Sequence, residues 1–169
     1  MRLVVRKAEK LKGKISVPGD KSISHRSIMI GAIAEGTTNV TGFLAADDCI
    51  STMRCFESLG VKIDRISETE LNIHGVGLNG LKEPDNVLDV GNSGTTLRIM
   101  PGILAGQDMF SVITGDESIR RRPIGRVVEP LQKMGDRKKE CKWLSPDAGR
   151  SESGKEHRCY ASNTFVNSL

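Results

Sequence analysis

The chain has 169 residues, 37% of them hydrophobic and 27% charged, with aromatics at only 4% and a formal net charge of +4. That is the composition of a globular protein whose core rests on Ile, Val, Leu, Met and Ala. The mild charge suits an anionic metabolite and falls short of the dense basic face that nucleic acid requires; no apolar run is long enough to span a membrane.

Met1 to Lys14 carries several cations but no apolar run behind them, so it does not read as a secretory signal, and a cytoplasmic location is expected. Leu11 to Val17 alternates, with Ile15 and Val17 on one face, and predicts a strand. Pro18-Gly19-Asp20 breaks it. Ser22 is the expected N-cap of a helix through Ile23, Ile28, Met29, Ile30, Ala32 and Ile33, closed near Glu35-Gly36. The β-branched stretch Thr37 to Leu44 predicts a strand. Ala46-Asp47-Asp48 opens a second helix with an apolar face of Ile50, Met53, Cys55, Phe56 and Leu59, ended by Gly60. Val61–Ile66 and Glu70–His74 read as a hairpin. The order is βαβαββ.

The order then begins again. Val87–Val90 is a short apolar strand, Gly91-Asn92-Ser93-Gly94 a turn, Thr95–Leu104 a helix and Met109–Ile113 a strand. Arg122-Pro123-Ile124 opens a helix through Val127, Val128, Leu131 and Met134, ended by Gly135, with proline suited to a first helical position. Two copies of one unit at a spacing of roughly seventy residues make a structural repeat. The second copy owes two more strands. From Asp136 onward no period of 2 or 3.6 survives, and charge, Ser and Gly are dense, so Asp136–Leu169 is expected to be a disordered tail foreign to the fold. A frameshift, an internal deletion or a truncation near residue 135 is the expected origin.

Two turns carry the chemistry. Lys21, Ser22 and Arg26 sit at the start of the first helix, where free backbone N–H groups already favour an anion. Ser22 and Arg26 are four apart and share a face, and a guanidinium meets phosphate in bidentate geometry. The plainer alternative is a capped helix with solvated cations, but basic residues in a first turn oppose the helix dipole. In the second turn Asn92 or Ser93 caps the helix, Gly94 permits close approach to the backbone, and Arg98 lies on the first turn. This is neither a Walker lysine loop nor a complete GxGxxG. Arg120-Arg121-Arg122-Pro123 adds a basic run, of which Arg122 has the most constrained backbone. His25 is expected to pack or hydrogen-bond rather than titrate. Asp47, Asp48, Asp116 and Glu117 form no recognisable acid–base pair. The cysteines Cys49, Cys55, Cys141 and Cys159 lack metal-ligand spacing, and Cys49 and Cys55 read as small buried hydrophobes.

Pro-Gly-Asp-Lys-Ser-Ile-Ser-His-Arg-Ser at 18–27, Asn-Ser-Gly-Thr-Thr-x-Arg at 92–98 and Arg-Arg-Pro-Ile-Gly-Arg-Val-Val-Glu-Pro-Leu at 121–131 together resemble the 5-enolpyruvylshikimate-3-phosphate synthase family. The resemblance covers roughly residues 11–135. It implies an α/β fold of repeated βαβαββ units, the pseudo-threefold, inside-out α/β barrel of the enolpyruvyl transferases, here incomplete. Residues 18–135 would form the first unit and part of the second. Residues 1–17 would supply a strand to the other lobe. The implied reaction is enolpyruvyl transfer from phosphoenolpyruvate to the 5-hydroxyl of shikimate 3-phosphate, in aromatic amino-acid biosynthesis. Lys21, Ser22 and Arg26 would hold shikimate 3-phosphate; Lys21, Asn92, Gly94, Thr95 and Arg122 would hold phosphoenolpyruvate. No organic cofactor and no metal are implied, and the complete enzyme is expected to be a monomer. Glyphosate is the implied inhibitor: His25 and Arg-Pro-Ile-Gly-Arg-Val look closer to the often tolerant bacterial subgroup, whereas Gly94 is the residue of the sensitive type. No catalytic base is identified; the resemblance places it in the lobe that this chain lacks, so that the chain alone is expected to be inactive.

Overall fold

Asp20 starts the first helix. Its carboxylate accepts from the Ile23 N–H at 2.7 Å and caps α1, Lys21–Ile33. The predicted cap, Ser22, lies inside the first turn instead; the longer reach of an aspartate one residue before the helix satisfies the free donor better. The structure, a computed structural model, describes residues 3–7, 9–10, 12–134, 141–143 and 165–167.

After α1 the chain forms β1 (Glu35–Thr41), α2 (Asp47–Ser58), β2 (Lys62–Arg65) and β3 (Glu70–Val76). β3 is the centre of an antiparallel sheet of order β1-β3-β2, with Glu35 opposite Val76 and Lys62 opposite His74. Leu71 and Ile73, two apart on β3, face inward, as the period of a strand requires. Gly75 continues that face, and a Cβ there would meet the carbonyls of Gly31 and Ala34, so glycine lets α1 lie close against the sheet.

The second copy comprises β4 (Leu88–Asp89), α3 (Gly94–Leu104), β5 (Ser111–Thr114), the short α4 (Glu117–Arg120) and α5 (Gly125–Met134), then β6 (Cys141–Trp143) and β7 (Phe165–Asn167). β4 runs parallel to β5, β5 is antiparallel to β7, and β7 pairs with β6. The order β5-β7-β6 thus repeats β1-β3-β2. This corrects the expectation that the second copy has no closing strands. Segments of three residues are too short to show any period, and backbone pairing to β5 supplies what the pattern does not. The rest of the predicted tail lies outside the described residues.

Three further differences have physical causes. Residues 12–17 form no strand, since no neighbouring edge among the described residues pairs with them, and Ile15 and Val17 are exposed. α4 was not foreseen; at four residues it is set by Asp116, whose carboxylate accepts from the Ile119 N–H at 2.8 Å. α5 begins at Gly125 rather than at Pro123. One apolar cluster runs through both copies, from Ile28, Met29 and Phe56 to Leu88, Leu104, Ile113 and Val128. Cys49 and Cys55 lie within it, and burial raises their thiols to about 11 and about 12, which keeps them protonated and inert. Among the described residues no helix is long and apolar enough to cross a membrane.

Candidate anion-binding site

Three major helices show contrasting starts. α2 carries Asp47 and Asp48 in its first turn, the usual complement to the helix dipole. α1 and α3 carry no acid there. Their first turns hold cations instead, Lys21 on α1 and Arg98 shortly into α3. The start of α3 is therefore an electropositive end open to an external anion, whereas at α1 the Asp20 carboxylate takes the Ile23 N–H and leaves the cations to carry the site.

At the first start, Lys21 Nζ lies 3.0 Å from Asp48 Oδ2, an ion pair between partly exposed groups. Asp48 holds the ammonium over the mouth of α1 without burying it. Arg26 folds back along the helix, its Nη1 donating to the Ser22 carbonyl at 3.0 Å. Ser22 and Arg26 are both exposed. Lys21, Ser22 and Arg26 thus share one accessible end of α1. The preceding turn is tight: a Cβ on Gly19 would collide with the Gly42 carbonyl, so glycine alone allows the Pro18–Asp20 turn to dock on the end of β1.

At the second start, Ser93 is the cap, its Oγ accepting from the Thr96 N–H at 3.2 Å. Asn92 is thereby free for the surface. Its amide donates to the Asp116 carboxylate, and its Oδ1 faces Arg122 Nη2 at 3.5 Å. That donation, with the Ile119 N–H, holds the Asp116 carboxyl below its ordinary value. Ser118 Oγ lies 3.4 Å from the same Arg122 nitrogen. Arg122 Nη1 lies directly over Gly94, 2.6 Å from where a Cβ would be. Thr95 is half-buried on the same turn. Asn92, Gly94, Thr95 and Arg122 therefore gather at the start of α3, as expected. Arg121, by contrast, pairs with Glu117 on α4, and Arg120 donates to the Gly115 carbonyl at 3.1 Å. Of the basic run, only Arg122 reaches the turn.

A buried chain of polar groups joins the two starts, and periodicity alone could not reveal it. His25 Nδ1 lies 2.7 Å from Thr52 Oγ1, Thr52 Oγ1 lies 2.6 Å from Thr96 Oγ1, and Thr96 Oγ1 lies 2.6 Å from Ser93 Oγ. All four residues are buried. Thr52 also reaches back to the Asp48 carbonyl at 3.2 Å. Burial, outweighing the nearby Asp48 carboxylate, keeps His25 below the ordinary histidine value, and Lys21 and Arg26 reinforce the effect. His25 thus packs and hydrogen-bonds, as its lack of a partner in the sequence suggests. Thr52 gave no signal beyond being a hydroxyl on an apolar helix face. Among the described residues no cluster of His, Cys, Asp and Glu could hold a metal ion.

Comparison with known proteins agrees with this geometry. A family model described as EPSP synthase (3-phosphoshikimate 1-carboxyvinyltransferase) matches residues 5–142. A 3-phosphoshikimate 1-carboxyvinyltransferase of Desulforamulus reducens is 54% identical over 135 residues, covering 80% of this chain and 32% of the relative. One from Bacillus subtilis is 57% identical over 129 residues, covering 76% of this chain and 30% of the relative. The solved structure of an EPSP synthase from Acinetobacter baumannii superposes with a TM-score of 0.74 at 44% identity, over 91% of this chain and 31% of that one. The chain therefore spans about a third of the length of the relatives it matches. With the sheet order of the first copy repeated in the second, two cationic helix starts at the expected motifs and a family match over most of its length, this chain belongs to the EPSP synthase family.

Proposed function

We propose that the chain carries the shikimate 3-phosphate subsite and one wall of the phosphoenolpyruvate subsite of an enolpyruvyl transferase. The observation that carries this reading is the pair of helix starts bearing Lys21 and Arg26 on one side and Arg122 on the other, joined through His25, Thr52, Thr96 and Ser93. Lys21, Ser22 and Arg26 take the phosphate of shikimate 3-phosphate. Asn92, Gly94, Thr95 and Arg122, with Lys21, take phosphoenolpyruvate. In the reaction the substrate 5-hydroxyl adds to C2 of phosphoenolpyruvate while C3 gains a proton. The tetrahedral adduct then loses phosphate and a C3 proton. Lys21 and Arg122 stabilise charge on the adduct and on the departing phosphate. No group among the described residues of this chain is placed to move the protons; that role falls to the part of the relatives which the chain does not span. The reading makes the isolated chain a binder without turnover, in the cytoplasm, with glyphosate as a competitor at the second start.

Calorimetric or chemical-shift titration of the purified chain with millimolar shikimate 3-phosphate tests it. Saturable binding with no phosphate release on adding phosphoenolpyruvate is the expected result. Absence of binding sinks the site assignment, and phosphate release sinks the inactivity.

A second reading has its own observation. Ile23 and Ile30, seven apart on one face of α1, are both exposed, as are Ile15 and Val17. An apolar face of this kind favours a covering partner. The chain then works as a half-protein completed by a separately supplied C-terminal lobe. Co-expression with that lobe should restore activity; continued inactivity of a folded pair counts against this reading.

A further inference from the structure

We infer that the open edge of β1 takes residues 12–17 of a second molecule of this chain as a parallel strand, so that two molecules exchange strands in a symmetric dimer. The inference is independent of the anion-binding reading.

The second repeat copy supplies the template. There β5 is flanked on both sides, by β7 and by the parallel β4. In the first copy β1 pairs with β3 alone, and its other edge is unpaired among the described residues. Counted back from the helix caps Asp20 and Ser93, Ile15, Ser16 and Val17 stand where Leu88, Asp89 and Val90 stand. Counted forward by the same interval, Val40-Thr41-Gly42 stands where Ile113-Thr114-Gly115 does. β4 sets Leu88 opposite Ile113 and Asp89 opposite Thr114, and the Val90 N–H donates to the Thr114 carbonyl at 2.9 Å. Carried to the first copy, that register sets Ile15 opposite Val40 and Ser16 opposite Thr41. Farther out it brings Lys10 opposite Glu35, a pair of opposite charges. Leu88 and Val90 are buried, whereas Ile15 and Val17 are 84% and 75% exposed. One chain thus holds an unpaired edge and a strand that fits it, and the two do not meet.

The entry turn keeps them apart. Gly91, directly after Val90, has a φ of 56°, and its carbonyl accepts from the Asp116 N–H at 2.9 Å. Pro18 stands at that place in the first copy. Its ring holds φ at about −65°, so the path from β4 into α3 is closed to it. The Phe43 N–H, the equivalent of Asp116, donates instead to the Thr69 carbonyl at 2.8 Å, and Gly19 packs against the Gly42 carbonyl. Residues 12–17 therefore run outward rather than back along β1. A twofold axis beside Gly42 lays the strand of each molecule on the β1 edge of the other. Such an exchange is self-complementary, closes both edges and covers Ile15 and Val17.

The test uses the 169-residue chain. Sedimentation should show a dimer that dissociates to monomer on dilution. Ile15→Asp puts a charge where the second copy seats Leu88. It should give monomer at concentrations where the parent is dimeric, and keep the parent's circular dichroism, since Ile15 is exposed in the single molecule. Ser16→Cys and Thr41→Cys on separate molecules, mixed and oxidised, should form a disulfide with each other that peptide mapping places between residues 16 and 41. One molecule carrying both substitutions should link to a second molecule rather than within itself. An internal 16–41 link in a monomer means that the edge closes on its own chain and overturns the exchange. A parent that stays monomeric at every concentration also overturns it, and leaves the edge to a strand from elsewhere. A dimer that survives Ile15→Asp and yields no 16–41 link joins through another surface, which overturns the inference as well.

Discussion

Thr52 Oγ1 lies 2.6 Å from Thr96 Oγ1, a buried bond that ties α2 of the first copy to α3 of the second. Thr52 has one proton, and the Asp48 carbonyl at 3.2 Å is one acceptor for it. With its proton on that carbonyl, the Thr52 oxygen accepts from both Thr96 O–H and His25 Nδ1–H. Thr96 in turn accepts from Ser93 O–H, while Ser93 Oγ takes the Thr96 N–H. In that arrangement every hydroxyl of the polar chain has a partner for its proton. The two candidate subsites are thereby held in register by a rigid polar link rather than by apolar contact alone.

Replacing Thr52 by valine keeps its shape and removes the acceptor. The His25 Nδ1 and Thr96 Oγ1 groups both lose this buried partner, at roughly 1–3 kcal/mol each. Thr52→Val should therefore destabilise the chain by at least about 2 kcal/mol, while Thr52→Ser stays within about 1 kcal/mol of the parent. Urea unfolding midpoints read the difference. Equal midpoints for the two variants would dissolve the link.

His25 gives stability a dependence on acid. Its folded value is lowered from 6.5. The folded state therefore binds fewer protons than the unfolded state once the pH falls below about 6.5. The contribution is fully present above that value and is lost progressively as pH falls toward and through the lowered one. Asp64, held below its ordinary value chiefly by His74, acts in the same direction at lower pH, but it is exposed and screened. His25→Asn, whose amide can keep a hydrogen bond to Thr52, should flatten the loss below about pH 6.5. An unchanged slope in that variant would assign the acid sensitivity elsewhere.

Much of the site was legible because its parts are local. Lys21, Ser22 and Arg26 fall within one helical turn and a half, and Asn92, Gly94 and Thr95 in one turn and helix start, so spacing alone brings them together. Arg122 was singled out for its place before a proline, and the structure brings it to Gly94. What escaped was set by tertiary contact. Thr52 is a hydroxyl on an apolar helix, and nothing along the chain says that Thr96 lies opposite. β6 and β7 are three residues each, and only the pairing of β7 with β5 and of β6 with β7 makes them strands. Residues 12–17 failed in the opposite way: the alternation is there, but no edge among the described residues receives it.

Gly94 lies at the floor of the proposed second subsite. A Cβ added there would stand 2.6 Å from Arg122 Nη1 and 3.3 Å from Arg98 Nη1, both far ends of flexible side chains. Gly94 is helical, without a positive φ, so alanine fits the backbone. Gly94→Ala should thus leave unfolding within about 1 kcal/mol of the parent, alanine being the better helix former. The guanidinia must swing aside, and phosphoenolpyruvate binding should weaken by about tenfold or more, as for displaced charged hydrogen bonds. Calorimetry on the variant checks this; undiminished affinity would place the anion away from Gly94.

Asp48 and Lys21 make opposite predictions from one contact. The 3.0 Å ion pair joins groups with side-chain exposures of 53% for Lys21 and 26% for Asp48, so its contribution to stability is about 1 kcal/mol or less. Either partner can therefore be changed without unfolding the chain. Lys21→Met removes a cation from the first subsite and should weaken shikimate 3-phosphate by roughly 1–3 kcal/mol. Asp48→Asn leaves the lysine in place but removes the carboxylate that competes with the ligand for it. That variant should bind shikimate 3-phosphate more tightly than the parent, with a steeper salt dependence, since the bare ammonium is screened more. It should also lower His25 further, because the Asp48 carboxylate is the main charge opposing desolvation there. Tighter binding in Asp48→Asn with looser binding in Lys21→Met identifies the ammonium as the ligand's partner; if both variants weaken binding equally, the intact ion pair is what the subsite needs.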